Sequence, residues 1–356
     1  MALQTERKLS PDHSNPANPA NPTRRSSKTS QRVNGLASHE AWILKIVDPK
    51  QQRALELNFS TLVSQNGFRR LAEVSALYFE RGANKEITKF AVKQSDDLRK
   101  IVRAADQSFT VGENGLTPTS TSGNIQAKGH EISWDLQFQS AQEAAFVAIP
   151  EAFSKTGLLD QSTVTLQEDL RFTGTTRVDG RTMNWGGAVG MRARISRPSN
   201  PHSVVWGQCN SFTDERGSFA PFIFEGISLR TRLIGPVPSP KLSSYYFFYR
   251  GKNYYFNTAW SSLRLQSRNN LNEWTFQADR GYLSFRGRAQ AEHRDFIGVM
   301  VEDTTGSLLY NSTSLLADME IHVYRRGKLE STFRANGTAA FEISNRLKNP
   351  YVPLLI

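Results

Sequence analysis

From about Trp42 to Ile343 the chain is a series of short runs in which apolar and polar residues alternate, with many aromatics and no long helical pattern. Alternation with a period of two puts successive side chains on opposite faces of a strand. A chain built almost wholly of such runs has to hide its strand edges, and closing them into barrels or stacking them as a sandwich does so. At 356 residues the chain is long enough for two modest barrels. The predicted fold class is therefore all-β: two antiparallel β-barrels packed together, joined by short connector helices and preceded by a disordered tail.

The opening strand is Trp42-Ile43-Leu44-Lys45-Ile46-Val47, turned by Asp48-Pro49. The next run, Ala54 to Phe59, puts Glu56 and Asn58 on one face and Leu55, Leu57 and Phe59 on the other. Gln65-Asn66-Gly67 reads as a hairpin turn, because Asn-Gly tolerates positive φ. Later strands include His130 to Phe138, Val189 to Ile195, Val204 to Trp206, Phe222 to Leu229 and Tyr245 to Tyr249. Two connector helices are predicted. One spans residues 95–103, capped by Ser95 with acids in its first turn, and the other spans residues 150–155. Arg197-Pro198-Ser199-Asn200-Pro201 is the strongest internal breaker. It suggests a tail over 1–34, one barrel over 35–200, a second over 201–346 and an extension over 347–356.

Composition excludes several classes. The formal net charge is +11, enough to attract anionic surfaces without being a nucleic-acid signature by itself. Part of it sits in the tail, where Arg7, Lys8, Arg24, Arg25, Lys28 and Arg32 face only Glu6 and Asp12. The tail also repeats Asn-Pro-Ala and has little to bury, so it reads as flexible, or as a basic arm for an acidic partner. The single cysteine, Cys209, excludes an internal disulfide. There is no secretory leader and no apolar run of the roughly 18 residues a membrane span needs. The expectation is a cytoplasmic protein without a transmembrane segment, for which peripheral contact with an anionic membrane surface stays open.

The candidate chemistry is carried by a few residues. Trp42, Trp134, Trp185, Trp206, Trp260 and Trp274 each lie in or beside a predicted strand. They either fill a core or line a ligand cavity. Tyr245-Tyr246-Phe247-Phe248-Tyr249 is aromatic on both faces, so one face can fill a core while the other meets a cavity or interface. In His130-Glu131-Ile132-Ser133-Trp134-Asp135-Leu136 the face carrying Glu131 and Asp135 is polar. Toward a dry lumen those carboxyls would be held protonated and able to donate; toward solvent they would be ordinary surface acids. Glu225 is the sharper anomaly, because Phe222-Ile223-Phe224-Glu225-Gly226-Ile227 is apolar on both faces. A carboxylate there is paired, for example with Arg230, or neutralised, or functional. The six histidines form no metal-ligand spacing, and no P-loop, Rossmann fingerprint or nucleophile elbow occurs, so no cofactor or metal is expected. Arg280-Gly281-Tyr282-Leu283-Ser284-Phe285-Arg286 departs from the RNA-recognition pattern, which disfavours nucleic acid as a partner.

With these residues in view, the chain resembles the double-lipocalin (calycin-like) superfamily of carotenoid hydratases (hydroxyneurosporene synthases), AttH-like proteins and tocopherol cyclases. The resemblance runs from about Ser38 to Ile343. It is carried by Glu40-Ala41-Trp42-Ile43-Leu44-Lys45, Gly129 to Asp135, Gly190-Met191 with Val205-Trp206-Gly207-Gln208, Glu273-Trp274, and Gly337 to Glu342. The family's His-x-Trp-Gly element lacks its histidine here: alignment on Gly190-Met191 puts Arg194 and Ser196 where its His and Trp would be, and alignment on Asn184-Trp185-Gly186 keeps the tryptophan but puts Met183 or Asn184 near the histidine position. The resemblance implies two lipocalin-like barrels and a barrel pocket for a bulky hydrophobic, isoprenoid- or lipid-like molecule. The residues leave open a cofactor-independent hydratase, cyclase or isomerase, a non-catalytic lipid or isoprenoid carrier, and an interaction protein with a basic surface. On the enzyme reading Glu225 or Asp135 supplies a proton, and Trp134, Trp185, Trp206, Gln208 and Tyr246 line the pocket.

Overall fold

Trp42, Leu44 and Ile46 face one way along the opening strand and Ala41, Lys45 and Val47 the other, and all six are buried. A strand buried on both faces must lie between two layers. The computed structural model describes residues 37–98, 101–103, 108–141, 145–149, 162–234, 237–258, 262 and 264–356. The predicted tail 1–34, the predicted helix 150–155 and Trp260 lie outside them.

The chain is all-β. Its first sheet runs, in spatial order, Ile87–Asp97, Arg70–Arg81, Arg53–Val63, Ser38–Asp48, Ala188–Arg197, Ser162–Val178, His130–Ser140 and Ser120–Ala127, followed by three short strands. Ile87–Asp97 lies against Ser120–Ala127 and His130–Ser140, so this antiparallel sheet curls into a nearly closed barrel. The second sheet has the spatial order Lys252–Phe256, Leu242–Tyr249, Ile223–Arg230, Ser203–Cys209, Lys328–Asn345, Leu308–Arg325, Leu283–Gln290, Glu273–Arg280 and Gln266–Asn269. Ile297–Glu302 pairs separately along Leu308–Arg325. No helix among the described residues is long and apolar enough to cross a membrane.

Among the described residues, most of the connector helix predicted over residues 95–103 is strand instead. Ser95, Asp96 and Asp97 continue the strand Ile87–Asp97, paired in register with Glu73, Ala72 and Leu71, and Ile101–Arg103 is itself a short strand. Ladder pairing along a whole strand outweighs one capping signal, because local propensity is a weak prior against tertiary pairing. Among the described residues the connectors are mostly turns, with a short 3-10 turn at His293–Asp295 and a turn of helix at Ser262 and Arg264, where the Ser262 amide donates to the Thr258 carbonyl at 2.8 Å.

Both curled sheets are filled inside. Phe59, Tyr78, Trp134, Phe172 and Trp185 pack together in the first. In the second, Phe224 stacks on Phe276 at 4.8 Å and Trp274 lies 4.3 Å from Phe276, with Phe247 and Phe285 beside them. Each such ring pair adds about 0.5–1.5 kcal/mol beyond area burial. Close backbone approach makes this packing possible at two glycines. A Cβ on Gly190 would lie 1.8 Å from the Lys45 carbonyl oxygen, and one on Gly226 would meet Tyr245, Phe224 and Trp274 within 3 Å. Gly226 thus presses the strand carrying Glu225 down onto the second core. The hollow expected inside a barrel lies instead between the two sheets, where their other faces meet.

Candidate active site between the sheets

The faces opposite the two cores line this hollow. Ala41, Ile43, Leu77, Met191 and Ala193 come from the first sheet, and Val204, Trp206, Ile227, Leu309 and Val299 from the second. Its volume is about 220 Å³, larger than the ~150 Å³ void that admits benzene, so it accommodates more than a single aromatic ring. Arg69 with Glu302, and Lys93 with Glu73 at 3.6 Å, form ion pairs on its outer wall.

The deep end is built by register. Gln208, Glu225 and Tyr246 are direct cross-strand partners on three adjacent strands, so their side chains stand in one row on one face. Trp206, two residues along on the same face, is half-buried at the cavity and donates its indole Nε1–H to Glu225 Oε1 at 2.8 Å. From the facing sheet the fully buried Lys45 reaches across. Its Nζ donates to Gln208 Oε1 at 2.9 Å and to the Gln208 carbonyl at 3.0 Å. Asn210 adds a second tie between the sheets, donating to the Gly190 carbonyl at 2.9 Å.

Behind Glu225 stands a second carboxyl, Glu168, which is also fully buried. It occupies an irregularity in the strand Ser162–Val178, where pairing skips from Gln167 to Leu170. A bulge of this kind re-aims side chains. Glu168 lies within hydrogen-bonding reach of Glu225. No donor among the described residues reaches either Glu168 oxygen or Glu225 Oε2. Two buried carboxyls this close, without donors, are costly to charge together, which favours the neutral form of Glu168. Burial, and after it the neighbouring Glu225, hold the Glu168 carboxyl well above the usual carboxylate range. Lys45 supplies the balancing positive charge. Its own pKa is pushed down to about 8 by burial, against the opposing pull of neighbouring acids.

A third acid opens on the same cavity. Glu56, the direct cross-strand partner of Lys45, is pushed up to about 8, first by burial and then by Glu342. Glu342 is raised by burial as well, although the Thr313 and Ser344 hydroxyls donate to it at 3.1 and 2.9 Å. Near neutral pH Glu56 is a protonated carboxyl on a largely apolar wall, able to donate. His39 is held neutral, its pKa lowered to about 3 by burial and by Arg197.

The structure gathers four of the seven residues proposed from the sequence and leaves out three. Glu225, Trp206, Gln208 and Tyr246 are together, with Trp206 and Glu225 on the cavity wall and Tyr246 at the far end of the row, stacked on Phe146 at 5.8 Å and donating its hydroxyl to Asn253 at 3.0 Å. Asp135 is exposed on the outside of the first barrel and cannot serve this cavity. Trp134 and Trp185 point into the first core, where their indole N–H groups donate to Thr121 at 3.0 Å and Thr176 at 2.9 Å. They are packing residues because alternation turns them away from the second sheet. Arg230 is exposed, and the partner of Glu225 is Trp206. Sequence reasoning missed Lys45, Glu56 and Glu168. Lys45 carried the same signal as Glu225, a charge inside a run that is apolar on both sides.

No protein-family model matches the chain, and no curated protein does. Among solved structures, CghA superposes with a TM-score of 0.51 at 12% identity, covering 87% of this chain and 88% of that one. CghA with Sch210972 gives a TM-score of 0.51 at 10% identity, with coverage of 87% and 89%. Kievitone hydratase from Nectria haematococca gives 0.47 at 8% identity, with coverage of 86% and 88%. The likeness to CghA is one of fold, and it extends over both sheets.

Proposed function

We propose that this protein binds a largely apolar, isoprenoid-like small molecule in the cavity between the sheets, and that it protonates a carbon–carbon double bond of that molecule. The observation that carries this reading is the Trp206–Glu225–Glu168 arrangement, two buried carboxyls, with Glu168 held toward its neutral form by burial, at the end of an apolar cavity beside an indole ring. Delivery of the proton from Glu225 to one alkene carbon leaves a cation on the other. The face of Trp206 stabilises that cation, and burial strengthens the attraction. Water or a hydroxyl of the ligand then adds to the cation, and the proton it releases returns to Glu225, so the site is restored with no cofactor. Hydration results in the first case and cyclisation in the second. If the cation instead loses a neighbouring proton, the product is an isomer. That CghA, which shares this fold, has also been solved with Sch210972 supports reading the fold as one that accommodates a ligand.

The test uses two readouts on wild type and Glu225→Gln. Binding is followed with β-ionone, a single isoprenoid ring with a conjugated side chain, through quenching of tryptophan emission. Proton transfer is followed by mass spectrometry of unsaturated isoprenoids incubated in D2O. The expected result is deuterium incorporation by the wild type, a loss of about 10²-fold or more in Glu225→Gln, and β-ionone affinity kept within a few-fold. Binding without any incorporation by the wild type would leave a carrier and remove the catalytic step.

A further inference from the structure

The second sheet carries a feature that the cavity does not use. Four hairpin tips meet at one end of it: 214–218, 250–251, 280–282 and 326–327. Their proximity follows from pairing and contact. Leu283 is the partner of Arg325, and the Arg326 amide donates to the Tyr282 carbonyl at 2.8 Å. The Tyr249 hydroxyl lies 3.1 Å from Ser331 Oγ, and the Arg250 guanidinium 2.9 Å from Glu330. Thr213 pairs with Arg334, and Glu215 accepts from the Thr332 amide.

The composition of this end is one-sided. Arg216, Arg250, Lys252, Arg280, Arg326 and Lys328 are exposed on it. Its acids are already engaged. Asp214 accepts from the Arg216 and Ser218 amides at 2.9 Å, and Asp279 from the Gly281 amide at 2.9 Å. Glu330 is taken by Arg250 and Arg325. Arg216, Lys252, Arg326 and Lys328 have no acidic partner among the described residues. Three large apolar side chains also stand out from these tips: Phe219 at 63% exposure, Tyr282 at 57% and Leu329 at 56%. Tyr282 and Leu329 flank a shallow concavity rimmed by Arg325, Arg326, Lys328 and Glu330. Bases alone would fit any polyanion. Apolar side chains crowning the same tips fit a surface with an anionic outer layer and an apolar interior, which is a lipid bilayer.

We propose that this end of the second sheet docks on an anionic bilayer. Phe219, Tyr282 and Leu329 enter the interfacial layer, while Arg216, Lys252, Arg326 and Lys328 meet lipid phosphates. The strand Leu308–Arg325 runs from the cavity wall at Leu309 to these tips, so the docked face lies at the far end of that strand from the cavity. Docking would tether the protein without covering the ligand site, and it stands or falls independently of the proposed chemistry.

The experiment is co-sedimentation of the full chain with vesicles of pure phosphatidylcholine and with vesicles containing phosphatidylserine. It is run at about 0.1 M and about 1 M NaCl. The expected result is binding to the phosphatidylserine vesicles at low salt, weakened at high salt. The pair Arg326→Gln with Lys328→Gln should lower the partition coefficient about 30-fold. The pair Tyr282→Ser with Leu329→Ser should also lower it, while leaving the melting temperature unchanged. Equal binding to both vesicle types, no binding, or binding untouched by either pair would overturn the proposal. So would tighter binding to an oligonucleotide that ignores the Tyr282→Ser and Leu329→Ser pair, because the end would then be a plain polyanion site.

Discussion

Replacing Lys45 by methionine should destabilise the fold by about 3–5 kcal/mol, the usual cost of removing one partner from a buried charge cluster. Lys45 is fully buried, donates twice to Gln208, and is the nearby cation for Glu168, Glu225 and Glu56. Methionine keeps the volume but leaves the carboxyl pair's negative charge unbalanced and Gln208 without its donor. The remaining carboxylate would then have to take up a second proton or draw in water. Placing Lys45→Met in a background where both carboxyls are replaced, Glu168→Gln with Glu225→Gln, removes the negative charge that the lysine balances, so its cost should fall by at least about 1 kcal/mol. Denaturant titration of the four proteins measures this coupling directly. Costs that add to within about 0.5 kcal/mol would show that Lys45 does not serve the pair.

Glu56→Gln should stabilise the protein increasingly as pH rises from about 5 to 8. The folded-state pKa of Glu56 is pushed up to about 8, against an ordinary value of 4.5. In this range the folded chain therefore keeps a proton that the unfolded chain gives up. The stability tied to that neutral form is fully present below about 4.5 and is lost as pH climbs through 8. Glutamine stays neutral throughout. The difference in unfolding free energy between variant and wild type should grow by about 3 kcal/mol across the window. A difference that does not move with pH would mean that Glu56 is solvated and ionised like a surface acid.

The barrels were legible because period-two alternation is a local signal, and so was Glu225, since no strand face in Phe222 to Ile227 could hold a carboxylate in water. Glu56 was visible but open to misreading. Leu55-Glu56-Leu57-Asn58-Phe59 looks like a strand with one wet face, and only the second sheet, more than a hundred residues further along, makes that face an interior one. Glu168 was not legible, because its orientation depends on a bulge in the pairing between two strands. The tryptophans could not be sorted from the sequence either. Trp134, Trp185 and Trp206 carry the same alternation, and which face meets the second sheet is settled only by packing. The barrel pocket implied by the resemblance misplaced the hollow for the same reason: large inward side chains fill each core among the described residues, and the cavity at Trp206 and Glu225 lies where the sheets meet.

The most direct test of the account is β-ionone titration of variants that fill the space between the sheets, Ile227→Trp and Met191→Trp. Both residues line the cavity, and neither belongs to the Lys45–Gln208–Glu225–Glu168 network. The account predicts that each variant keeps the wild-type melting temperature within a few degrees while its β-ionone affinity falls by an order of magnitude or more, in line with the loss of about 1.4 kcal/mol or more of apolar contact. Wild-type affinity in both filled variants would contradict it, because the ligand would then be held somewhere other than between the sheets.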